Sequence, residues 1–305
     1  MASQQFNYGG QALIEGVMMR GSHRYAVAVR DPGGEIVMHD EPINSPLYSG
    51  VWSRVPFVRG LGMLWDSLGL GMRALTFSAD VAAGDEAEFS GPLAWGTMAI
   101  SLVIFLGIFF LGPAAAADAL HRLLNFDSAF LGNIIEGLIR LGLILGYMWL
   151  IGRIPDMQRV FAYHGAEHKT INAYEDGAPL TPESVAHYPR EHPRCGTGFL
   201  LVVVVISVLV FALLGRPNIL VRLGSRIVLI PVIVGIAYEY IRFTAKHMSS
   251  PIVRLLVVPQ LALQRLTTRE PSLDMLEVGI SALRCVLDSE NLPVPSYEPA
   301  PAEAR

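Results

Sequence analysis

The hydrophobic pattern along the chain is dominated by long apolar segments that are separated by shorter polar ones. A helix needs roughly 20 apolar residues to cross the hydrocarbon core of a bilayer, which is about 30 Å thick. Four segments satisfy this requirement, at residues 93–115, 132–154, 198–214 and 223–243. The pattern therefore predicts an α-helical integral membrane protein with four transmembrane helices.

The N-terminal segment has a different pattern, with short apolar runs between turn residues. Tyr25–Arg30 has the composition of a strand, Asp31–Gly34 that of a turn, and Glu35–His39 fits a return strand. In the preceding residues 9–21, glycines bracket an apolar stretch with one carboxylate, which fits a further strand with turns. We expect a small N-terminal β unit, which makes the fold α+β overall.

Three further segments are too polar or too short to span a bilayer. Residues 58–77 mix apolar and charged positions, as an interfacial helix does. Residues 252–263 form a short apolar run that indicates an interfacial or re-entrant segment. Apolar residues recur at helical spacing over 273–287, which predicts an amphipathic helix, so that cytoplasmic amphipathic helices accompany the transmembrane ones. The chain is thus divided into an N-terminal β unit (1–50), an interfacial helix with a linker (51–92), transmembrane helices 1 and 2 (93–154), a His/Cys motif segment (155–197), transmembrane helices 3 and 4 (198–243), an interfacial segment with an amphipathic helix (244–290) and a disordered tail (291–305).

Composition and charge agree with a membrane location. The chain is 52% hydrophobic and only 16% charged, whereas soluble domains carry about 25% charged residues. Its net charge of −4 gives no basis for binding nucleic acid. Lysine and arginine are concentrated in residues 54–73, 153–194 and 242–254, which the positive-inside rule assigns to the cytoplasm. We expect a multi-pass protein of the cell (inner) membrane with cytoplasmic N- and C-termini and membrane lipids as partners. The sequence leaves its oligomeric state open.

Ionisable residues inside the predicted transmembrane helices allow two interpretations. Glu136 and Arg140 are spaced i,i+4 and share one helix face, while Arg226 and Glu239 lie near opposite ends of the fourth helix. Such charges usually form ion pairs inside a membrane protein or reach its surface. They could also line a transport path, which would make the protein a transporter of ions or small solutes.

The sequence His164-Gly-Ala-Glu167-His168 carries the clearest candidate chemistry. It lies within a predicted helix from 156 to 175, so its two histidines are one turn apart and can reach one metal ion. H-x-x-E-H is the inverted form of the zinc-peptidase motif, in which the glutamate takes a proton from the attacking water. We expect His164 and His168 to bind zinc and Glu167 to be the general base. A short pattern of this kind also occurs by chance in structural roles.

Further ligands must come from outside this helix turn. His192 and Cys195 suit zinc chemically, because zinc accepts both nitrogen and thiolate. Glu15 and Glu175 are candidates beside the metal, but Glu175 lies about 10 Å beyond the motif along the helix, too far to be a ligand. Arg194 could hold an anionic group or serve the positive-inside rule. Two other interpretations of Cys195 stay open, as a small buried residue or as a nucleophile beside His192.

Four blocks of this sequence resemble the YqhQ family of bacterial membrane proteins, and they extend over nearly the whole chain. The family has no established reaction, and its members are often labelled as metal-dependent enzymes. The resemblance thus implies a membrane protein whose histidine motif binds metal. The matching blocks are YGGQALIEGVMMRG (Tyr8–Gly21), YHGAEHKTINAYEDG (Tyr163–Gly177), HPRCGTGFL (His192–Leu200) and LTTREPSLDMLEVGISAL (Leu266–Leu283).

Three hypotheses about function follow from these patterns. The first is a zinc-dependent membrane hydrolase that acts at the cytoplasmic face on a membrane-proximal peptide or a lipid-linked molecule. The second is a membrane scaffold or assembly factor without enzymatic activity, in which the His/Cys cluster is a structural metal or polar site. The third is the transporter, which predicts a water-filled path along Glu136, Arg140 and Glu239.

Overall fold

The computed structural model describes residues 8–43, 55–84, 92–124, 128–215 and 219–295. Most of them are helical, and a small antiparallel sheet precedes the helices. The strands are β1 (Gly9–Leu13), β2 (Gly16–Arg20), β3 (Arg24–Arg30) and β4 (Ile36–Pro42). The helices are α1 (Val58–Ala83), α2 (Pro92–Leu106), α3 (Gly112–Leu124), α4 (Ala129–Ile151), α5 (Pro155–Glu175), α6 (Pro182–Val185), α7 (Gly196–Leu213), α8 (Ile219–Val228), α9 (Ile230–Lys246), α10 (Pro251–Thr267) and α11 (Leu273–Ser289), and a π-helical turn (Gly107–Leu111) joins α2 to α3.

The sheet is an antiparallel meander in the order β1-β2-β3-β4. Two residues separate β1 from β2, and the Leu13↔Gly16 pair closes this hairpin. The turn between β3 and β4 contains Gly34 at φ +92°, a conformation that glycine adopts without a steric cost. The predicted strands at 25–30 and 35–39 and the turn at 31–34 are therefore confirmed, whereas residues 9–21 form two strands instead of the one predicted.

Helices cover both faces of the sheet. Because successive side chains of a strand point to opposite faces, neighbouring residues belong to different cores. On one face, Val17 and Ala26 belong to a core that includes residues of α5 and α11, such as Leu276. On the other face, Val27 belongs to a second core with Leu70 of α1. We refer to β1–β4 with α5, α6 and α11 as the sheet domain.

Four helices are long and apolar enough to cross a membrane, as predicted. They are Ala99–Leu124, Phe130–Ile151, Gly196–Leu213 and Gly224–Lys246. The first extends beyond the predicted end at 115 to Leu124, and Pro113 does not end it. Pro113 has no N–H for the carbonyl of Phe109, four residues earlier, and Nε of Arg140 donates to that carbonyl instead at 3.0 Å. The predicted linker and disordered tail lie mostly outside the described residues.

Glu136 accepts hydrogen bonds from two arginines among these helices. Arg140 donates to it at 2.8 Å and Arg226, from α8, at 2.6 Å. All three side chains are buried, and the Arg226 guanidinium also lies over the ring of Phe211 at 4.4 Å. Glu239 instead binds Arg59 of α1, with Arg59 Nε 2.7 Å from its carboxylate. The interpretation of Glu136 and Arg140 as an internal ion pair is confirmed.

The packing of the sheet domain constrains the topology of the chain. The sheet, α5 and α11 share one core. Two candidate spans lie between the sheet and α5, and two more lie between α5 and α11. A chain that crosses a membrane twice returns to its original side. The sheet domain therefore lies on one side of any membrane that these four helices cross.

Candidate metal centre

α5 carries the histidine motif, and its ends follow the rules of helix capping. Pro155 is at its first position and Asp156 is in its first turn, where proline and a negative charge favour helix initiation. Gly177, at φ +75°, follows the last turn. The predicted helix with its stop at Gly177 is confirmed, and both Glu167 and His168 are buried within it.

The structure brings His164, His168 and Cys195 together. One ligand atom of each residue lies within 4.8 Å of the other two. His164 Nε2 is 3.2 Å from Cys195 Sγ, and the ring centroids of His164 and His168 are 4.4 Å apart. We refer to these three residues as the His/Cys cluster. Its donor set of two imidazoles and one thiolate is one that zinc accepts.

Hydrogen bonds to main-chain carbonyls set the tautomer of both histidines. His164 Nδ1 is 2.8 Å from the carbonyl of Thr267, and His168 Nδ1 is 2.6 Å from that of Arg190. A carbonyl only accepts, so each Nδ1 donates and each neutral ring keeps the lone pair of Nε2. His168 Nε2 is buried and has no hydrogen-bond partner among the described residues. Metal-binding histidines are typically oriented in this way, so the cluster fits a metal ion.

Cys195 occupies the N-cap of α7. Its sulfur accepts a hydrogen bond from the N–H of Thr197 at 3.4 Å. The N-terminus of a helix carries a partial positive charge that favours an anion, and the thiolate is the form of cysteine that binds a metal. The side chain is also buried, at 8% exposure. The fold therefore presents the sulfur to the two histidines in a position that stabilises negative charge.

Glu167 lies against β1, beside the cluster. Burial raises the pKa of its carboxyl group to about 7, although His164 and the main-chain N–H of Gly10 act to lower it. A Cβ atom added to Gly10 would lie 2.8 Å from Cγ of Glu167. A carboxyl group with a pKa near neutrality can accept a proton and return it. Gly10 was not identified from the sequence, although the paired glycines at 9 and 10 were a signal for close approach of a neighbouring group.

His192 lies beside the cluster rather than in it, which corrects its prediction as a metal ligand. Its ring centroid is 5.6 Å from that of His168, and its Nε2 is 3.8 Å from a carboxylate oxygen of Glu175. Burial lowers the pKa of His192. Arg194 forms an ion pair with the same Glu175. Glu175 and Arg194 are therefore paired with each other beside His192, and neither belongs to the His/Cys cluster.

Glu15 does not belong to the candidate centre, which corrects its prediction as a neighbour of the metal. It lies in the β1–β2 turn at φ +51° and binds Arg159 through two hydrogen bonds of 2.6 and 2.5 Å. Tyr163 donates a longer one at 3.3 Å. The bond from Arg159 lowers the pKa of Glu15. The carboxylate thus ties the hairpin to α5 at the far end of β1 from Gly10.

Two buried glutamines on α10 were missed by the sequence interpretation. Gln264 binds the main chain of His192 through both its oxygen and its nitrogen. Gln260, one turn earlier, donates to the carbonyl of Pro193 at 3.2 Å. The spacing of two glutamines by four residues in an otherwise apolar segment was the available signal. α10 was predicted as an interfacial segment, and it holds the 192–195 segment in place.

A cavity of about 570 Å³ opens onto these residues. Such a volume is in the range of small-molecule and cofactor sites. The main chain of β1 forms one wall, and apolar residues of α1, α7 and α9 form another. The polar lining includes His164, Glu167, His192, Arg194 and Cys195. A substrate in the cavity would therefore reach His164 and Cys195 of the cluster together with Glu167.

Comparisons with known proteins place the chain in a family. It is 33% identical over 307 residues to the protein named "Uncharacterized protein YqhQ" of Bacillus subtilis (strain 168), with 96% of each chain covered. No solved structure matches the chain. The family model described as "Protein of unknown function (DUF1385)" matches residues 55–289. The resemblance drawn from the four sequence blocks is thus confirmed, and the chain belongs to this DUF1385 family, which includes YqhQ-like proteins.

Proposed function

We propose that this protein is a metal-dependent membrane hydrolase whose zinc ion is held by His164, His168 and Cys195. The observation that carries the proposal is the convergence of these three ligand atoms within 4.8 Å of one another. They converge beside a buried carboxyl group, on the wall of a cavity. Three protein ligands are typical of catalytic zinc, because a fourth position stays open, whereas structural zinc has four.

The surrounding residues would divide the work of hydrolysis between them. A zinc ion bound at the cluster would polarise the carbonyl of the substrate as a Lewis acid. Glu167 would take a proton from the attacking water and return it to the leaving group. Gly10 packs closely against the side chain of Glu167, and the carbonyls of Thr267 and Arg190 orient the two imidazoles.

A membrane location is the second part of the proposal. Four helices are long and apolar enough to span a bilayer, and the basic segments that flank them favour the cytoplasm for the sheet domain. α1 and α10 expose apolar residues, among them Trp65 at 77% and Leu255 at 71%, which suits helices at the membrane surface. We therefore place the hydrolase in the cell (inner) membrane with its centre at the cytoplasmic face.

Metal content of the purified protein in detergent tests the proposal. We expect about one zinc per chain by elemental mass spectrometry, lost in a His164→Ala/His168→Ala double variant. His23→Ala/His187→Ala is the matched control, because neither of these histidines belongs to the cluster, and it should keep the metal. Absence of zinc from the wild-type protein, even after zinc is supplied, would overturn the hydrolase proposal. The His/Cys cluster would then be a polar network without a metal.

A structural metal site in a scaffold protein is the second candidate. It is favoured by the position of the cluster, which joins α5 of the sheet domain to α7, one of the four candidate spans. Loss of Glu167 distinguishes the two candidates. In a Glu167→Gln variant both should keep the zinc, but only the hydrolase should lose a hydrolytic activity measured in the wild-type protein.

A further inference from the structure

The strand beside the candidate centre is an edge of the sheet. β1 pairs with β2 and with no other described strand. Because Leu13↔Gly16 closes a two-residue turn, Leu13, Gln11 and Gly9 exchange main-chain hydrogen bonds with β2. Gly10 and Ala12 therefore direct their N–H and C=O groups away from the sheet. Glu167 of α5 lies close to Gly10, where an added Cβ atom would be 2.8 Å from its Cγ.

This edge forms a wall of the cavity onto which His164 and Cys195 of the cluster open. Residues 8–12 line it together with His164, Glu167 and Cys195. Gly10 is exposed, and a Cβ atom added to Gly9 would meet nothing within 4 Å. Glycine in a strand often marks a place where a ligand or another backbone approaches closely. The wall is therefore open to a second extended chain.

The other side of the cavity is apolar. Met63 and Leu64 of α1, Phe199 of α7 and Ile241 of α9 line it. An extended peptide presents main-chain groups at its edge and side chains alternately above and below. Pairing with a strand edge gives such a peptide affinity, and pockets for its side chains give specificity. A lipid-linked molecule has no repeating main-chain donors and acceptors to match the edge.

We propose that the substrate is an extended peptide segment that adds to the sheet as a strand beside β1, an inference that rests on the hydrolase function. Gly10 C=O and Ala12 N–H would bind its main chain and bring one peptide carbonyl to Glu167 and the cluster. Water oxygen then bonds to that carbonyl carbon and the C–N bond breaks. One water proton reaches the leaving nitrogen through Glu167, so the products are a carboxylic acid and an amine.

Binding of a fluorescent random decapeptide library to the detergent-purified protein, read by anisotropy, tests this inference. Ala12→Pro removes the outward N–H and leaves the pairing with β2 intact, and it should weaken binding about tenfold. Ala12→Val keeps the N–H and should bind within about threefold of the wild type. The same library with alternate amides N-methylated should fail to compete, because it cannot pair with a strand edge.

The outcomes separate this inference from the hydrolase proposal. Zinc content of each variant shows that its site is intact. Zinc bound without peptide binding, or equal competition by the N-methylated library, would overturn the peptide as substrate and leave the hydrolase standing. Competition by vesicles of phosphatidylglycerol in place of peptide would likewise overturn it and point to a lipid. Peptide binding without zinc would overturn the hydrolase, and with it the peptide as a substrate, and would leave β1 as a peptide-binding edge.

Discussion

Gln264 forms two hydrogen bonds with the main chain of His192, accepting from its N–H and donating to its C=O, both at 2.8 Å. Gln264 is completely buried, and its partner lies three residues before the metal ligand Cys195. The amide therefore fixes the segment that brings the sulfur of Cys195 to α5. α10 contributes to the centre through this contact and through the carbonyl of Thr267.

Replacement of Gln264 by leucine should weaken metal binding. The substitution leaves two buried main-chain groups without partners, which costs about 1–3 kcal/mol each. We expect a lower melting temperature and a zinc affinity lower by about 10–100-fold. This reduction is typical when a hydrogen bond that orients a metal ligand is lost. Competition with a chromophoric chelator measures the affinity. Gln158→Leu, at an exposed position on α5, is the control and should bind zinc as the wild type does.

A thiolate ligand gives a spectroscopic signature that tests Cys195. Cobalt(II) loaded in place of zinc should show a near-ultraviolet sulfur-to-metal charge-transfer band in the wild-type protein. Cys195→Ser should lose this band, whereas Cys285→Ser should retain it, because Cys285 packs against the core of the sheet domain instead. If both variants kept the band, the sulfur of Cys195 would not be a ligand.

The two adjacent glycines of β1 should respond differently to alanine. A Cβ atom at Gly10 would lie 2.5 Å from the carbonyl oxygen of Met18 and 2.8 Å from Cγ of Glu167, whereas one at Gly9 meets open space. We expect Gly10→Ala to destabilise the protein by about 1–3 kcal/mol, as overpacking does, and to impair hydrolysis by displacing Glu167. Gly9→Ala should be close to neutral in thermal unfolding. Similar melting temperatures for the two variants would contradict the close approach.

Glu290 should make a contribution to stability that depends on pH. Burial would raise its pKa, but hydrogen bonds from Ser22, Tyr8 and His23 outweigh it, so the pKa is lowered in the folded protein. The contribution is therefore fully present above the ordinary carboxyl pKa of about 4.3 and is lost as the pH falls through the folded value. Glu290→Gln should lower stability by about 1–2 kcal/mol at pH 7. The difference from the wild type should shrink as the pH falls below 4, as measured by thermal unfolding.

Removal of the buried carboxylate at position 136 should be far more damaging than removal of the one at 239. Glu136→Gln removes the carboxylate that pairs with both Arg140 and Arg226, and breaking such a buried ion pair costs about 3–5 kcal/mol. Glu239→Gln affects a more exposed pair with Arg59 and should cost about 1 kcal/mol or less. Stability in detergent provides the measurement. Equal losses would contradict the assignment of Glu136 to a buried network.

The sequence was informative wherever a pattern is local. Hydropathy located the four apolar helices, and turn residues located the β3–β4 hairpin. The spacing of His164 and His168 placed two imidazoles on one helix face, because that geometry depends on α5 alone. Each of these inferences requires only the conformation of neighbouring residues.

Choices that depend on tertiary contacts could not be made from the sequence. His192 and Cys195 are both good zinc ligands, and only the cap of α7 and the glutamine clamp from α10 decide that the sulfur faces the motif. Glu15 and Gly10 lie in the same glycine-rich stretch, but the hairpin turn at 14–15 places them at opposite ends of β1. Glu15, which was predicted beside the metal, therefore binds Arg159, and Gly10 lies against Glu167.

The contact of α11 with β2 and β3 has a consequence for the synthesis of the chain. Val17 and Ala26 leave the ribosome first, yet Leu276 and Leu283, which share their core, leave it among the last. The part of this apolar face that α11 covers thus stays exposed while all four candidate spans are translated. Such a surface promotes aggregation and requires shielding by chaperones or by the bilayer surface. A chain that terminates before α11 should consequently be degraded rather than persist in a partly active form.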